Sequence, residues 1–330
     1  MAHEIFVNTY PEATVFPFRR PGGGHQLGGV VDRDHRDVEP AAIHRAGQRL
    51  VHPPPAPYGP EARLDGEHIF AGYVSPLFGH FILESCTHLW YARQRPELPL
   101  LWCRLSPLAP YQTAVLELLG IRNQSLKVTQ PTVVETLHVP DPGCVMRHML
   151  NAEHARFLGQ YTPRSGWRPG GPKLWLSRSA LPEKLKSFAN EVEIEDVLSA
   201  DGWEIYHPEQ HTIASQLETL AGASQIAGFI GSAFHSLLLL REVNAEVTIF
   251  SPKEPRIITY KTIATVKGLV QREVFLEFKS VRTAGSRQYT LLEPETVYDT
   301  LGVQRGGAKA KVKAPSPRGV AGALRPRRAS

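Results

Sequence analysis

Cysteine is scarce in this 330-residue chain, where Cys86, Cys103 and Cys144 are the full complement. An odd number, widely spaced and without a CxxC pair, argues against a disulfide framework and a zinc cluster and fits a reducing compartment. Long apolar runs are also missing. No window approaches about 18 uninterrupted apolar residues, and Met1–Pro17 has neither a basic start nor an apolar core of about 7–15 residues. The expectation is a cytoplasmic chain that neither spans a membrane nor carries a secretion signal. No GxSxG, kinase-type set or HExxH occurs, so the enzymes those signatures mark are not indicated.

Acidic residues are absent from the end of the sequence while basic ones crowd it. Residues 305–330 hold eight Lys or Arg and no acid, leaving 29 basic against 32 acidic residues in 1–304. The net charge of +5 therefore belongs to a tail, and the body is not expected to bind nucleic acid. The tail has almost no large apolar residue and is expected to stay disordered, with an anionic membrane surface as its candidate partner. Over the whole chain hydrophobic residues make up 42% and charged residues 21%, enough to bury a core. At this length two domains of roughly 150 residues are expected.

Gly and Pro crowd residues 18–66, so short strands and loops are expected there. From Ile69 the texture becomes apolar, and the spacing of Phe81, Ile82, Leu83, Cys86, Leu89 and Trp90 predicts a helix over 79–93. A strand at Leu100–Trp102, a helix at Tyr111–Leu119, a strand at Thr132–Val139 and a helix near Asn151–Tyr161 follow. The Gly- and Pro-rich SGWRPGGP at 165–172 marks the boundary, giving domains 1–164 and 165–304. Beyond it strands Lys173–Ser177, Trp203–Tyr206, Gln225–Phe229 and Glu246–Phe250 alternate with helices Asn190–Ala200, Ile213–Ala221 and Ala233–Glu242. That alternation predicts an α/β fold with a parallel, Rossmann-like sheet, and two such halves predict a GT-B-like pair of domains facing a cleft. Residues 252–300 yield no order beyond an edge strand or a returning helix.

The densest chemical signal is IAGFIGSAFHSLLLL at 226–240. An apolar strand runs into Gly228 and Gly231, and Ser232, Ala233 and His235 then open a helix whose first N–H groups face a ligand position suited to a diphosphate. A plain helix cap explains the same residues. Arg178 follows strand 173–177 at the ligand-binding edge of such a sheet, where it fits either a phosphate fork or a surface ion pair. Asn190 and Glu191 fit a helix cap and a charge complementing the helix dipole. In the first half His80, Glu84 and His88 fall at i, i+4 spacing on one predicted helical face. His80 or Glu84 could take a proton from a hydroxyl, whereas a hydrogen-bonded polar stripe or a chance metal site needs the same spacing. Asp32-Arg33-Asp34 resembles a cation-holding acidic pair but sits in a polar turn.

Taken in order, GHFILES, Leu176-Ser177-Arg178, Asn190-Glu191, Gly202-Trp203 with Pro208-Glu209, Gln216 and the loop Gly228–Ala233 resemble glycosyltransferase family 61, especially its bacterial branch related to capsule polysaccharide synthesis. The resemblance covers roughly 72–250. It implies a GT-B fold and an inverting transfer from a nucleotide-sugar donor to a glycan or polysaccharide hydroxyl, with no cofactor and no metal. It further implies His80 or Glu84 as the base, and Arg178, Glu191, Gly231, Ser232, Ala233 and His235 as donor-binding residues. Ile230 stands where the family often has His, which leaves a nucleotide-binding protein without catalysis as the alternative, beside a third in which the tail binds an anionic surface.

Overall fold

The structure is a computed structural model that describes residues 4–19, 26–56, 59, 61–103, 107–164, 167–182, 185, 188–252, 257–283 and 286–304. The tail 305–330 and the first two residues of the 165–172 boundary lie outside the described residues. Its first strands are β1 (Val7–Arg19), β2 (Gln26–Val31), the hairpin β3 and β4 (His44–Arg45 and Gln48–Arg49), β5 (Val51–His52) and β6 (Ala62–Gly72). After the short α1 (Phe78–His80), a π-helical turn (Phe81–Ser85) and α2 (Leu89–Ala92) come β7 (Leu100–Trp102), α3 (Pro110–Leu118), β8 (Ser125–Lys127) and β9 (Thr132–Pro140). A small ladder of β10 (Cys144–Val145) and β11 (Met149–Leu150) and helix α4 (Ala152–Leu158) complete the half, with Asn151 capping α4 by accepting from the amides of Glu153 and His154.

Seven of these strands form one sheet in the order β5-β2-β1-β9-β6-β7-β8. This differs from the plain strand–helix alternation expected, because β1 pairs antiparallel with both β2 and β9 while β9, β6, β7 and β8 are parallel. The long β1 accommodates two prolines. Pro11 lies in the half of β1 that pairs with β9 alone, and Pro17 falls where the register to β2 shifts, so neither interrupts a two-sided ladder.

The second half contains β12 (Lys173–Leu176), α5 (Glu191–Ala200), β13 (Trp203–Tyr206), α6 (Ile213–Gly222), β14 (Gln225–Phe229), β15 (Glu246–Ser251), α7 (Ile257–Lys267) and β16 (Gln271–Phe275). Its sheet runs β13-β12-β14-β15-β16 and every pairing is parallel, as the alternation predicted. Residues 252–300 thus supply both a returning helix and an edge strand, followed by the hairpin β17 (Phe278–Thr283) and β18 (Ser286–Leu291) and by α8 (Glu295–Leu301). The expected helix over 233–242 is instead a 3-10 helix, Ser232–Leu238. Asn190 does not cap α5; its side chain crosses to β18, donating to Leu291 O and accepting from Leu291 N, both at 3.0 Å.

Successive side chains on a strand point to opposite faces, and both sheets use this to bury two faces. Ile69, Leu100 and Trp102 join one apolar cluster and Phe70 and Leu101 another. In the second sheet Leu174, Ile226 and Ile249 join that first cluster, whereas Trp175, Phe229 and Phe250 join a third beneath α5 and α8. One apolar cluster therefore lies between the sheets, filled by Phe81, Leu83, Phe234, Leu237 and Ile263 from the intervening segments. The three cysteines are buried free thiols. Among the described residues no helix is long and apolar enough to cross a membrane.

Candidate active site

In the second sheet β12 lies between β13 and β14, so the chain leaves β12 for one neighbour and later returns to the other. Loops beyond the carboxyl ends of such a pair diverge and leave a crevice, the place where parallel α/β sheets take ligands. Arg178 follows β12 at that edge and Gly231 follows β14. The two are in contact: a Cβ on Gly231 would clash with Arg178 Nη1. Only glycine at 231 leaves the guanidinium its place.

Arg178 is half-buried and held from beneath. Its amide donates to Glu191 Oε1 at 3.2 Å and its Nη2 donates to Leu185 O at 3.0 Å. Burial lowers its pKa from the usual guanidinium value, opposed by the charges of Glu191, Tyr260 and Glu209. Glu191 is 1% exposed and also accepts from Trp175 Nε1 at 3.3 Å. Burial, with Glu195 beside it, pushes its carboxyl up to about 8. Glu191 is thus placed under the Arg178 loop with its carboxyl among protein donors. Glu195 in turn accepts from the hydroxyls of Ser177 and Ser179.

In the first half Glu84 is buried and serves as the hub of a polar cluster. Arg45 engages it with two prongs, Nε to Oε1 at 2.9 Å and Nη2 to Oε2 at 3.0 Å, and the Tyr73 hydroxyl donates to Oε2 at 2.9 Å. His80 Nδ1 lies 2.8 Å from the same Oε2. Burial pushes the Glu84 carboxyl up, but His80 and Arg45 together outweigh it and hold the pKa below the usual value. Glu84 is therefore a fixed carboxylate, while the His80 side chain remains 27% exposed.

The predicted polar face keeps His80 and Glu84 together and loses His88. The segment 79–93 is no continuous helix: Cys86 N donates to Phe81 O at 3.0 Å, widening the turn, and the chain bends before α2 starts at Leu89. His88 consequently points back to β9, with Nδ1 2.8 Å from Pro140 O. Burial lowers its pKa to about 4, so at neutral pH it is an uncharged core residue.

The two polar clusters meet through Gly79. A Cβ there would collide with His235 Nδ1 and stand 3.0 Å from Ser232 Cβ, so α1 rests directly on the segment that follows β14. His235 is buried, and neither ring nitrogen has a hydrogen-bond partner among the described residues. Its ring stacks on Tyr260, centroids 5.0 Å apart, and Tyr260 donates its hydroxyl to Gly231 O at 3.1 Å. Burial, aided by the nearby charge of His80, lowers the pKa of His235 to about 3. Ser232 is exposed and Ala233 half-buried along the same loop.

The structure thus gathers His80, Glu84, Arg178, Gly231, Ser232, Ala233 and His235 around one region and sets Glu191 beneath it. Sequence reasoning missed Arg45, Tyr73 and Tyr260. Arg45 sits in a two-residue strand far from Glu84 along the chain, and no local spacing announces it. Asp32 closes a turn by accepting from the amides of Asp34 and Arg36 at 2.9 and 2.8 Å. Among the described residues no group of three or more His, Cys, Asp or Glu is arranged to hold a metal ion. No curated protein matches the chain. The sequence profile described as Glycosyltransferase 61 matches residues 78–246, a span that contains most of this region and over half of the chain. The chain therefore belongs to glycosyltransferase family 61 and is a glycosyltransferase.

Proposed function

We propose that this glycosyltransferase inverts the anomeric centre without a metal ion, moving a sugar from a nucleotide-sugar donor to a hydroxyl of a glycan or polysaccharide. The donor lies at the carboxyl edge of the second sheet, and the acceptor enters from the side of residues 1–164, in a GT-B-like arrangement. The observation that carries this reading is the seating of Gly79 on Ser232 and His235. It puts a histidine held by a carboxylate beside the loop that closes on Arg178.

Each residue has a part that its surroundings support. The Glu84 carboxylate accepts from His80 Nδ1–H, which fixes the tautomer and leaves Nε2 as the basic nitrogen. His80 Nε2 takes the acceptor hydroxyl proton as that oxygen attacks the anomeric carbon from the face opposite the leaving group. The bond from the anomeric carbon to the phosphate oxygen breaks, and its electron pair stays on the diphosphate. Arg178 meets that growing charge, and buried, uncharged His235 backs the loop by stacking on Tyr260 without bringing a like charge near His80. Gly231, Ser232 and Ala233 keep the backbone low enough for the phosphates to approach.

Donor binding and turnover test the parts separately. Arg178→Ala is expected to weaken nucleotide-sugar binding by about tenfold or more in calorimetric titration, from loss of charge-assisted hydrogen bonds. His80→Ala and Glu84→Gln are expected to keep binding and lose about 10²–10⁴ in kcat. Turnover of wild type is expected to survive EDTA. Full turnover by His80→Ala, or unaltered donor binding by Arg178→Ala, would overturn the assignment.

A further inference from the structure

A second polar concavity lies at the opposite edge of the second sheet. The 3-10 helix and α7 both descend from the carboxyl edge, and they deliver Arg241 and Lys267 just before β15 and β16 begin. The end of α4 is stitched alongside, with Tyr161 N donating to Leu239 O at 2.9 Å and Arg241 N donating to Tyr161 O at 2.8 Å. Between these elements opens a cavity of about 350 Å³ whose polar lining is Arg156, Gln160, Arg241 and Lys267. Among the described residues no carboxylate lines it.

The three cations differ in how they are held. Lys267 Nζ is fixed by the carbonyls of Leu240 and Arg241, the latter at 3.1 Å, and an ammonium has a third N–H to offer. Its pKa is lowered by burial and partly restored by Glu242. Arg156 reaches Glu153 at 3.5 Å, a loose pair in which both side chains are exposed. Arg241 is exposed and makes no salt bridge among the described residues. Three positive groups line one concavity, with Glu153 loosely paired to Arg156 and Glu242 acting on Lys267, and Arg241 adds an uncompensated charge that a bound oxyanion neutralises. Two guanidinium forks and an ammonium match a tetrahedral phosphate better than a planar carboxylate, since its oxygens are reached from several directions.

We propose that this cavity is a second anion site that takes a phosphate-bearing ligand, separate from the crevice at Arg178. The phosphate is either free in solution or carried on a lipid headgroup, and the chemistry of capture is the same.

Two probes on the full chain distinguish these sources. The first is calorimetric titration with inorganic pyrophosphate in an Arg178→Ala background, which removes the signal of the crevice. The second is co-sedimentation with phosphatidylglycerol vesicles. Each is run on Arg156→Ala/Arg241→Ala and on Arg33→Ala/Arg36→Ala, which removes the same charge from an exposed turn and serves as the control. The cavity variant is expected to bind one probe about tenfold more weakly, the loss of two charge-assisted contacts, while the control stays within about twofold. Loss with pyrophosphate identifies free phosphate, and loss with vesicles alone identifies a headgroup. Equal binding by both variants for both probes, whether unchanged or weakened alike, overturns the proposal.

Discussion

Glu191 ties the stability of the fold to pH. Its carboxyl is pushed up to about 8 by burial, with Glu195 adding to the shift, whereas an unfolded glutamate titrates near 4.3. The folded state therefore holds a proton that the unfolded state gives up. The associated stability is fully present below about 4.3 and drains as pH rises toward 8, with a slope of up to about 1.4 kcal/mol per pH unit. His88, His154 and His235 act in the opposite sense, since burial lowers them to about 4, 3 and 3 and their stability is lost as pH falls through the unfolded value near 6.5. Comparison with Glu191→Gln, which retains an acceptor for Arg178 N and Trp175 Nε1, separates the two. Urea midpoints from pH 5 to 8 are expected to show the variant gaining on wild type as pH rises; parallel curves would place the proton elsewhere.

At the scale of elements, the meeting of α1 with the 3-10 helix depends on the absence of one methyl group. Gly79→Ala pushes a carbon into His235 and is expected to cost about 1–3 kcal/mol by overpacking. In a His235→Ala background the collision with the ring is gone and only the 3.0 Å approach to Ser232 Cβ remains, so urea denaturation of the four proteins is expected to show a coupling of about 1–2 kcal/mol. Strict additivity would mean that the contact carries no energy. The strands that frame this contact were readable in the sequence. Lys173–Leu176, Trp203–Tyr206, Gln225–Phe229 and Glu246–Ser251 fall within a residue of their expected limits, because the three inner strands are apolar runs with sharp ends and the edge strand Trp203–Tyr206 is set off by Gly202 before it and Pro208 after it. The strand Val7–Arg19 was not read, since Pro11 and Pro17 look like breakers until the one-sided pairing and the register shift are seen. Phe81, Ile82, Leu83, Cys86 and Leu89 fit a helix and fit equally a widened turn followed by a bend, and apolar spacing does not distinguish the two. The same limit applies to the site. His80 and Glu84 are neighbours along the chain and were found by spacing, whereas Arg45 and Tyr260 reach it through tertiary packing alone.

The whole molecule shares a core across its midpoint. The apolar cluster between the sheets includes Phe81 and Leu158 from one half and Leu174, Phe234 and Ile263 from the other, so the boundary at 165–172 divides the chain more cleanly than it divides the packing. Calorimetry is expected to give one cooperative transition, and two resolved transitions would mean that the halves hold independent cores. Cys86, Cys103 and Cys144 all belong to the first half, at 0%, 3% and 6% exposure, and burial pushes all three thiols up. Alkylating reagents can reach thiolates so enclosed only when the fold opens. A nucleotide that docks on the second half would then protect cysteines it never touches, slowing their labelling by about tenfold at ten times its Kd. Unmodified, the chain carries its own reporter of occupancy.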